Sequence, residues 1–148
     1  MEKNFVPYPL ALRLKALGFD EPCFGYYVEG ELRGVNLGIE ELGGVEPYYQ
    51  RFGFHTLSNH DIFNSNKIVV TAPTYSQAFT WFREECGIWV TFEYDDCDCV
   101  EADICWYVGK CFRYGIGPLF LTNELGDFKT LQEAELACLE KLIELVKE

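Results

Sequence analysis

The chain has 148 residues, a mass of 17.1 kDa and a composition that is 49% hydrophobic, 16% aromatic and 24% charged. This apolar content is too high for a disordered chain, and the length is sufficient for one domain with a substantial core. Acidic residues outnumber basic ones by 24 to 12, and the resulting charge of −12 argues against a broad basic face that binds nucleic acid or anionic lipid.

The first predicted elements are a short helix and a β-hairpin. Leucines at the helical period, followed by Gly18, predict a helix over 9–17. Two strand-like runs then flank an acidic turn at 29–31, which predicts a hairpin of strands over 23–28 and 32–37.

An irregular segment rich in aromatic residues is predicted over about 43–66. It shows no sustained period, and it contains both histidines, His55 and His60. A connection of this length is unusual inside a compact domain, so it is either a functional loop or a place where the pattern conceals short strands. A further strand is predicted over 67–71.

The clearest helix is predicted over 73–86, with Gly87 as its end. Trp81 does not lie on the apolar stripe of this helix but on the side of Gln77, so we expect it at the flank or on the surface. The stripe consists of Tyr75, Ala78, Phe79, Phe82 and Cys86.

A second hairpin and a last helix complete the predicted domain. Alternating apolar residues predict strands over 88–95 and 104–114, and a short strand over 119–122. Thr130 and Glu133 form a capping box that predicts the start of the last helix. The order predicts a single α+β domain over 1–148, in which antiparallel hairpins form a sheet with about three helices packed on it. The stripe of the last helix consists of Leu131, Ala134, Cys138, Leu142 and Leu145.

The N-terminal segment and the cysteines indicate a cytoplasmic protein. Prolines and basic residues interrupt the apolar stretch that a signal peptide needs, and no segment approaches the ~18 apolar residues of a membrane span. Seven cysteines, an odd number, are typical of reduced thiols rather than of a disulfide framework. We therefore expect no membrane contact, and no motif indicates a cofactor.

Three stretches resemble a family of small uncharacterised proteins that gut bacteria, their phages and mobile elements encode. They begin with FVPYPLALRLKALGFDEPCFGYY at Phe5, continue with APTYSQAFTWFREECG at Ala72, and end with FKTLQEAELACLEKLIELVK from Phe128. The resemblance implies a phage or mobile-element setting, and it implies no activity and no catalytic residue. The segment from about 38 to 66 and the hairpin around 95–103 lie outside it.

The acidic, cysteine-rich turn over 95–103 is a candidate metal site. Two cysteines lie in the turn and two follow it, all at odd-numbered positions. If the strands alternate regularly, all four side chains lie on the face away from the core, which would bring thiolates together for zinc. Cys-x-Cys on an extended strand differs from the Cys-x2-Cys knuckle of structural zinc sites, so a solvated turn with spare thiols is the favoured interpretation. The four candidate ligands are Cys97, Cys99, Cys105 and Cys111.

The loop histidines raise the alternative of a small hydrolase. His55 or His60 with an acid such as Asp61 would activate a cysteine thiolate, but nothing local in the sequence lowers a thiol pKa. Paired carboxylates could serve glycoside or phosphoester chemistry, but they do not indicate such an activity here, because 24 acids in 148 residues make chance pairs inevitable. We therefore predict a non-enzymatic protein.

Aromatic residues supply a candidate surface for a partner protein. Gln77 and Trp81 on the wet side of the middle helix would form it with rings from the loop, because large amphipathic rings dominate interface energetics. The competing interpretation is that the loop covers the sheet and that Trp81 closes the core. The loop residues in this candidate patch are Tyr48, Tyr49 and Phe52.

These patterns favour an accessory or protein-binding protein whose partner is another protein. An acidic decoy that occupies a DNA-binding protein is the first alternative, because an even excess of carboxylates is compatible with mimicry of nucleic acid. The histidine-loop hydrolase is the second.

Overall fold

Local patterns of the sequence account for most of the helices and strands in a computed structural model of the chain. The structure describes residues 2–34, 56, 58–62, 66–95, 103–110 and 119–147. Within these residues the α+β class is confirmed, because α-helices are interspersed with antiparallel strands. The chain divides into two compact units, residues 1–77 and 78–148, each of which is described by itself. The elements are α1 (Tyr8–Ala16), β1 (Gly25–Val28), β2 (Glu31–Gly34), β3 (Val69–Ala72), α2 (Tyr75–Cys86), β4 (Ile88–Asp95), β5 (Asp103–Lys110), β6 (Leu119–Phe128) and α3 (Leu131–Lys147), with single 3-10 turns at Glu2–Asn4 and Asn59–Asp61.

The end of α1 is a Schellman motif that Gly18 makes possible. Gly18 has φ +97°, a left-handed conformation that costs glycine little because it has no Cβ. The Phe19 N–H donates to the Leu14 carbonyl at 3.0 Å, and the Gly18 N–H donates to the Lys15 carbonyl at 3.0 Å. Phe19 and Leu14 are both buried, as the hydrophobic contact of this motif requires. The predicted helix over 9–17 is therefore confirmed to within one residue.

The first sheet has the strand order β2-β1-β3, with both pairs antiparallel. Val28 pairs with Glu31, so Glu29 and Gly30 form a two-residue turn in which both φ angles are positive, at 50° and 92°. This geometry matches the right-handed twist of a hairpin. The predicted hairpin is confirmed, although β1 begins at Gly25 rather than at Cys23, and β2 begins one residue before the predicted position 32. Positions 35–37 of the second predicted strand lie outside the described residues.

One face of this sheet packs against α1. The buried cluster there consists of Ala11, Tyr27, Val70 and Ala72, with Phe5, Tyr8, Leu12 and Leu32 packed around it. The Tyr27 hydroxyl also donates to the Val6 carbonyl at 2.8 Å, which satisfies the polar end of a buried ring. The four residues of β1 and the four of β3 are all buried. Burial stabilises by roughly 1.5–3 kcal/mol for each large apolar side chain, so this sheet is a main source of stability for unit 1.

The second sheet has the order β4-β5-β6, again antiparallel. Alternation along β4 follows the prediction, since Ile88 is buried while Trp89 and Thr91 are exposed. β6 extends to Phe128, six residues beyond the predicted strand, across shifts in its register with β5. The predicted continuation of β5 through 111–114 lies outside the described residues.

The last helix begins at the predicted capping box. The Glu133 N–H donates to the Thr130 hydroxyl at 3.2 Å, as predicted, whereas the Glu133 carboxylate accepts from the Lys129 N–H at 3.3 Å, one residue before the expected donor. Leu131, expected in the buried stripe, is 41% exposed, because it occupies the first turn. The buried residues of α3 are Ala134, Cys138, Leu139, Leu142 and Ile143.

We predict that Gly30→Ala destabilises the protein by about 1–2 kcal/mol, the cost of placing a residue with a Cβ in the left-handed region. Space is not the obstacle, since the nearest atoms to an added Cβ belong to Tyr8 at 3.6 and 3.7 Å. Urea denaturation measures the free energy of unfolding. Gly34→Ala is the matched control, because an added Cβ there meets no atom within 4 Å and we expect no loss of stability. Equal effects of the two variants would contradict this account of the turn.

Candidate functional site

Gln77, which is predicted to contribute to a partner surface, is the N3 residue of a second capping box. Its Oε1 accepts from the Thr74 N–H at 3.0 Å, and the Gln77 N–H donates to the Thr74 hydroxyl at 3.3 Å. Its Nε2 donates to the Pro22 carbonyl at 2.9 Å, across 55 residues of chain. The side-chain amide thus bonds within the fold through both its oxygen and its nitrogen, and Thr74 rather than Pro73 precedes α2.

The expectation of a surface Trp81 is wrong, since its side chain is only 6% exposed. It packs edge-on against Phe82, with the ring centroids 5.0 Å apart and the planes at 75°. Compared with the predicted stripe, the buried side of α2 is rotated toward Ala78 and Trp81. Phe79 and Cys86, at the opposite edge of the stripe, are only half-buried. Trp81 therefore belongs to the core, as the competing interpretation has it.

The other predicted binding and metal residues fall largely outside the described part of the chain. Cys105 is in β5, where its Cα pairs with that of Glu93. Among the described side chains, no group of three His, Cys, Asp or Glu residues is placed to hold a metal. The predicted residues outside the described ranges are Tyr48, Tyr49, Phe52, His55, Cys97, Cys99 and Cys111.

His60 and Asn59 have structural contacts in the 3-10 turn that they share. The His60 backbone N–H donates to the Asp20 carboxylate at 2.5 Å. The Asn59 side chain donates to the Phe19 carbonyl at 2.8 Å and accepts from the Thr71 N–H at 3.1 Å. Asn59 therefore connects the segment after α1 with β3, a contact 40 residues apart that no local pattern reveals.

Cys23 is a buried thiol. Its Sγ donates to the Glu21 carbonyl at 3.3 Å, and desolvation raises its pKa to about 12, against a smaller opposing effect of the Thr71 side chain. Thr71 is itself buried, and within the described part of the chain no hydrogen-bond partner is found for its Oγ1. A raised pKa keeps the thiol protonated at neutral pH, so Cys23 is not an activated nucleophile.

An exposed aromatic surface lies instead at the junction of α2 and β4. Trp89 is 46% exposed, and the Arg83 guanidinium lies 5.2 Å from the centroid of its indole ring. Glu84 and Thr91 are exposed beside them, and the Glu84 carboxylate is 3.8 Å from the Arg83 guanidinium. We call these four residues the Trp89 surface. Trp89 alternates with the apolar residues Ile88 and Val90 along β4, a pattern that puts its side chain on the solvent-exposed face. The sequence therefore contained the information that locates this surface.

Two structural features, a glycine turn and a contact between two aromatic rings, fix the position of the Trp89 surface. Gly87, at φ +65°, ends α2 and turns the chain directly into β4. Phe79 and Phe92 contact edge-on, with their centroids 5.5 Å apart, so helix and strand also meet through apolar rings. Trp89 thus projects from a strand that is held by its neighbours, and little ordering entropy would be lost on binding.

No family model, curated protein or solved structure matches the chain. None of the helices in the described residues is long and apolar enough to cross a membrane.

We predict that Gln77→Ala destabilises the protein by about 1–2 kcal/mol, because it removes a helix cap and the hydrogen bond to the Pro22 carbonyl. Gln77→Glu retains the capping oxygen but not the Nε2 donor, and we expect an intermediate loss. Ser76→Ala, an exposed position in the same turn, is the control. Urea denaturation measures all three, and a loss for Gln77→Ala no greater than for Ser76→Ala would show that the amide stabilises nothing.

The Cys23 thiol predicts a pH dependence of stability. Its pKa is 9.0 in the unfolded chain and about 12 when folded, so between these values only the unfolded chain releases the proton. The contribution of Cys23 is therefore complete below pH 9 and declines as the pH rises through that interval, by on the order of 1 kcal/mol per pH unit. Cys23→Ala lacks this contribution. Its free energy of unfolding, measured by urea denaturation, therefore falls less steeply above pH 9 than that of the parent protein. Parallel profiles for the two proteins would contradict the burial effect.

Proposed function

We propose that this protein is a non-enzymatic accessory protein that binds another protein through the Trp89 surface. The observation that carries the proposal is the pairing of a 46% exposed tryptophan with an exposed arginine 5.2 Å from its ring. Tryptophan and arginine are the residue types most enriched at energetic hot spots of interfaces. Most aromatic side chains of a soluble domain are buried, so this one has a large unburied apolar area available to a partner.

The chemistry of the described side chains favours binding over catalysis. The Cys23 thiol has a raised pKa, so it is protonated at neutral pH. A protonated thiol does not resemble an activated nucleophile with its base. The proposal places the protein in the cytoplasm and, through the resemblance of its three sequence stretches, in a phage or mobile-element setting.

The acidic decoy is the second candidate, and the formal charge of −12 favours it. A decoy would bind basic nucleic-acid proteins through many carboxylates, so its affinity would fall steeply between low and physiological salt. Binding through the Trp89 surface depends on one aromatic ring, whereas a decoy distributes its contacts over many carboxylates. Removal of the Trp89 ring therefore separates the two candidates, because a decoy would retain most of its affinity.

We predict that Trp89→Ala lowers the affinity for the partner by about 30-fold or more, the effect of truncating an interface hot spot. The immobilised protein first captures a partner from the native host. The affinity of the purified partner is then measured by calorimetry for the parent protein and for the variant.

Phe24→Ala is the matched control, because Phe24 is an even more exposed aromatic residue, at 63%, in the other compact unit. We expect its affinity to equal that of the parent. Circular dichroism melts establish that both variants fold. An unchanged affinity for Trp89→Ala would eliminate this surface as the binding site.

A further inference from the structure

The indole ring of Trp89 already binds a cation within the chain. The Arg83 guanidinium lies 5.2 Å from the ring centroid, inside the distance at which the negative face of an aromatic ring attracts a positive charge. The residue nevertheless remains 46% exposed. The geometry therefore shows an aromatic side chain that accepts a guanidinium and is partly open to solvent.

Arg83 is held at this ring by weak contacts. Its side chain is 41% exposed, and its ion pair with Glu84, itself 63% exposed, spans 3.8 Å. Exposed ion pairs of this kind contribute little stability, and an exposed cation–π contact contributes only slightly more. A competing cation could therefore displace Arg83 at small cost.

The charge around the ring favours a cation from outside. Glu84, beside Arg83, is exposed, and the chain as a whole carries a charge of −12. A displaced Arg83 would remain beside Glu84 in solvent, while the incoming cation would meet the aromatic ring. The long-range field of the protein also increases the rate at which a basic partner encounters it.

We infer that the Trp89 surface binds an arginine-rich segment of its partner, whose guanidinium replaces that of Arg83 on the indole ring. This rests on the proposed function and specifies the chemistry of the partner at the same site. Arg83 then acts as an internal competitor that lowers the affinity for the partner.

The test uses two peptides with the full-length protein. One is a short glycine and serine peptide with several spaced arginines, and the other has citrulline, a neutral isostere, at each arginine. Nuclear magnetic resonance follows the indole N–H signals of the 15N-labelled protein, in which Trp89→Phe identifies the Trp89 signal. We expect the arginine peptide to shift that signal in a saturable manner and the citrulline peptide to leave it unchanged.

Two variants test displacement. We expect Arg83→Ala to bind the arginine peptide about two- to fivefold more tightly, as loss of an exposed cation–π contact predicts. Lys147→Ala removes the same charge from an exposed position at the end of α3, and its gain should be smaller. Weaker binding by Arg83→Ala would overturn the inference, because Arg83 would then assist binding of the peptide rather than compete with it.

The inference and the proposed function fail in different ways. Equal shifts with the arginine and citrulline peptides, or no shift with either, would overturn the inference while a Trp89-dependent partner could still be captured. An unchanged partner affinity for Trp89→Ala would overturn the proposed function, whatever the peptides show.

Discussion

The side-chain amide of Gln77 holds the start of α2, the helix that carries both the buried Trp81 and the exposed Arg83. Its Oε1 accepts from the Thr74 N–H at 3.0 Å, which satisfies one of the backbone donors that a helix end leaves without a partner. Its Nε2 donates to the Pro22 carbonyl at 2.9 Å, which joins the start of the helix to the segment before β1. A helix has 3.6 residues per turn, so the rotation that buries Trp81 also places Arg83 in solvent.

Glycines and short polar motifs in the sequence predict the ends of the elements well. Gly18 and Gly87 each follow a helix in the left-handed conformation, and Glu29 with Gly30 forms the hairpin turn. Thr130 and Glu133 form the predicted cap of α3. These features are local, because each depends on backbone groups within a few residues, and the sequence alone therefore contains the information.

The candidate site was less predictable, because burial depends on contacts between distant residues. Period analysis correctly predicted three of the five stripe residues of α2 as buried, but Phe79 and Cys86 are half-buried and the buried arc extends to Trp81. The two hydrogen bonds of Asn59 reach Phe19 and Thr71, and the Gln77 amide reaches Pro22, all across long stretches of chain. No spacing rule within one element identifies such partners, so the capping role of Gln77 and the burial of Trp81 were both missed.

Trp89 shows how the same pattern carries functional information when it is combined with charge. Alternation along β4 requires a polar or small residue at this position, and a tryptophan there leaves apolar area in water. The Arg83 guanidinium lies over the ring, and this cation–π contact partly offsets the free-energy cost of exposing apolar area to water. In the proposed binding mode, the charge of −12 would increase the rate of encounter with a basic partner, and the Trp89 ring would supply specificity at short range.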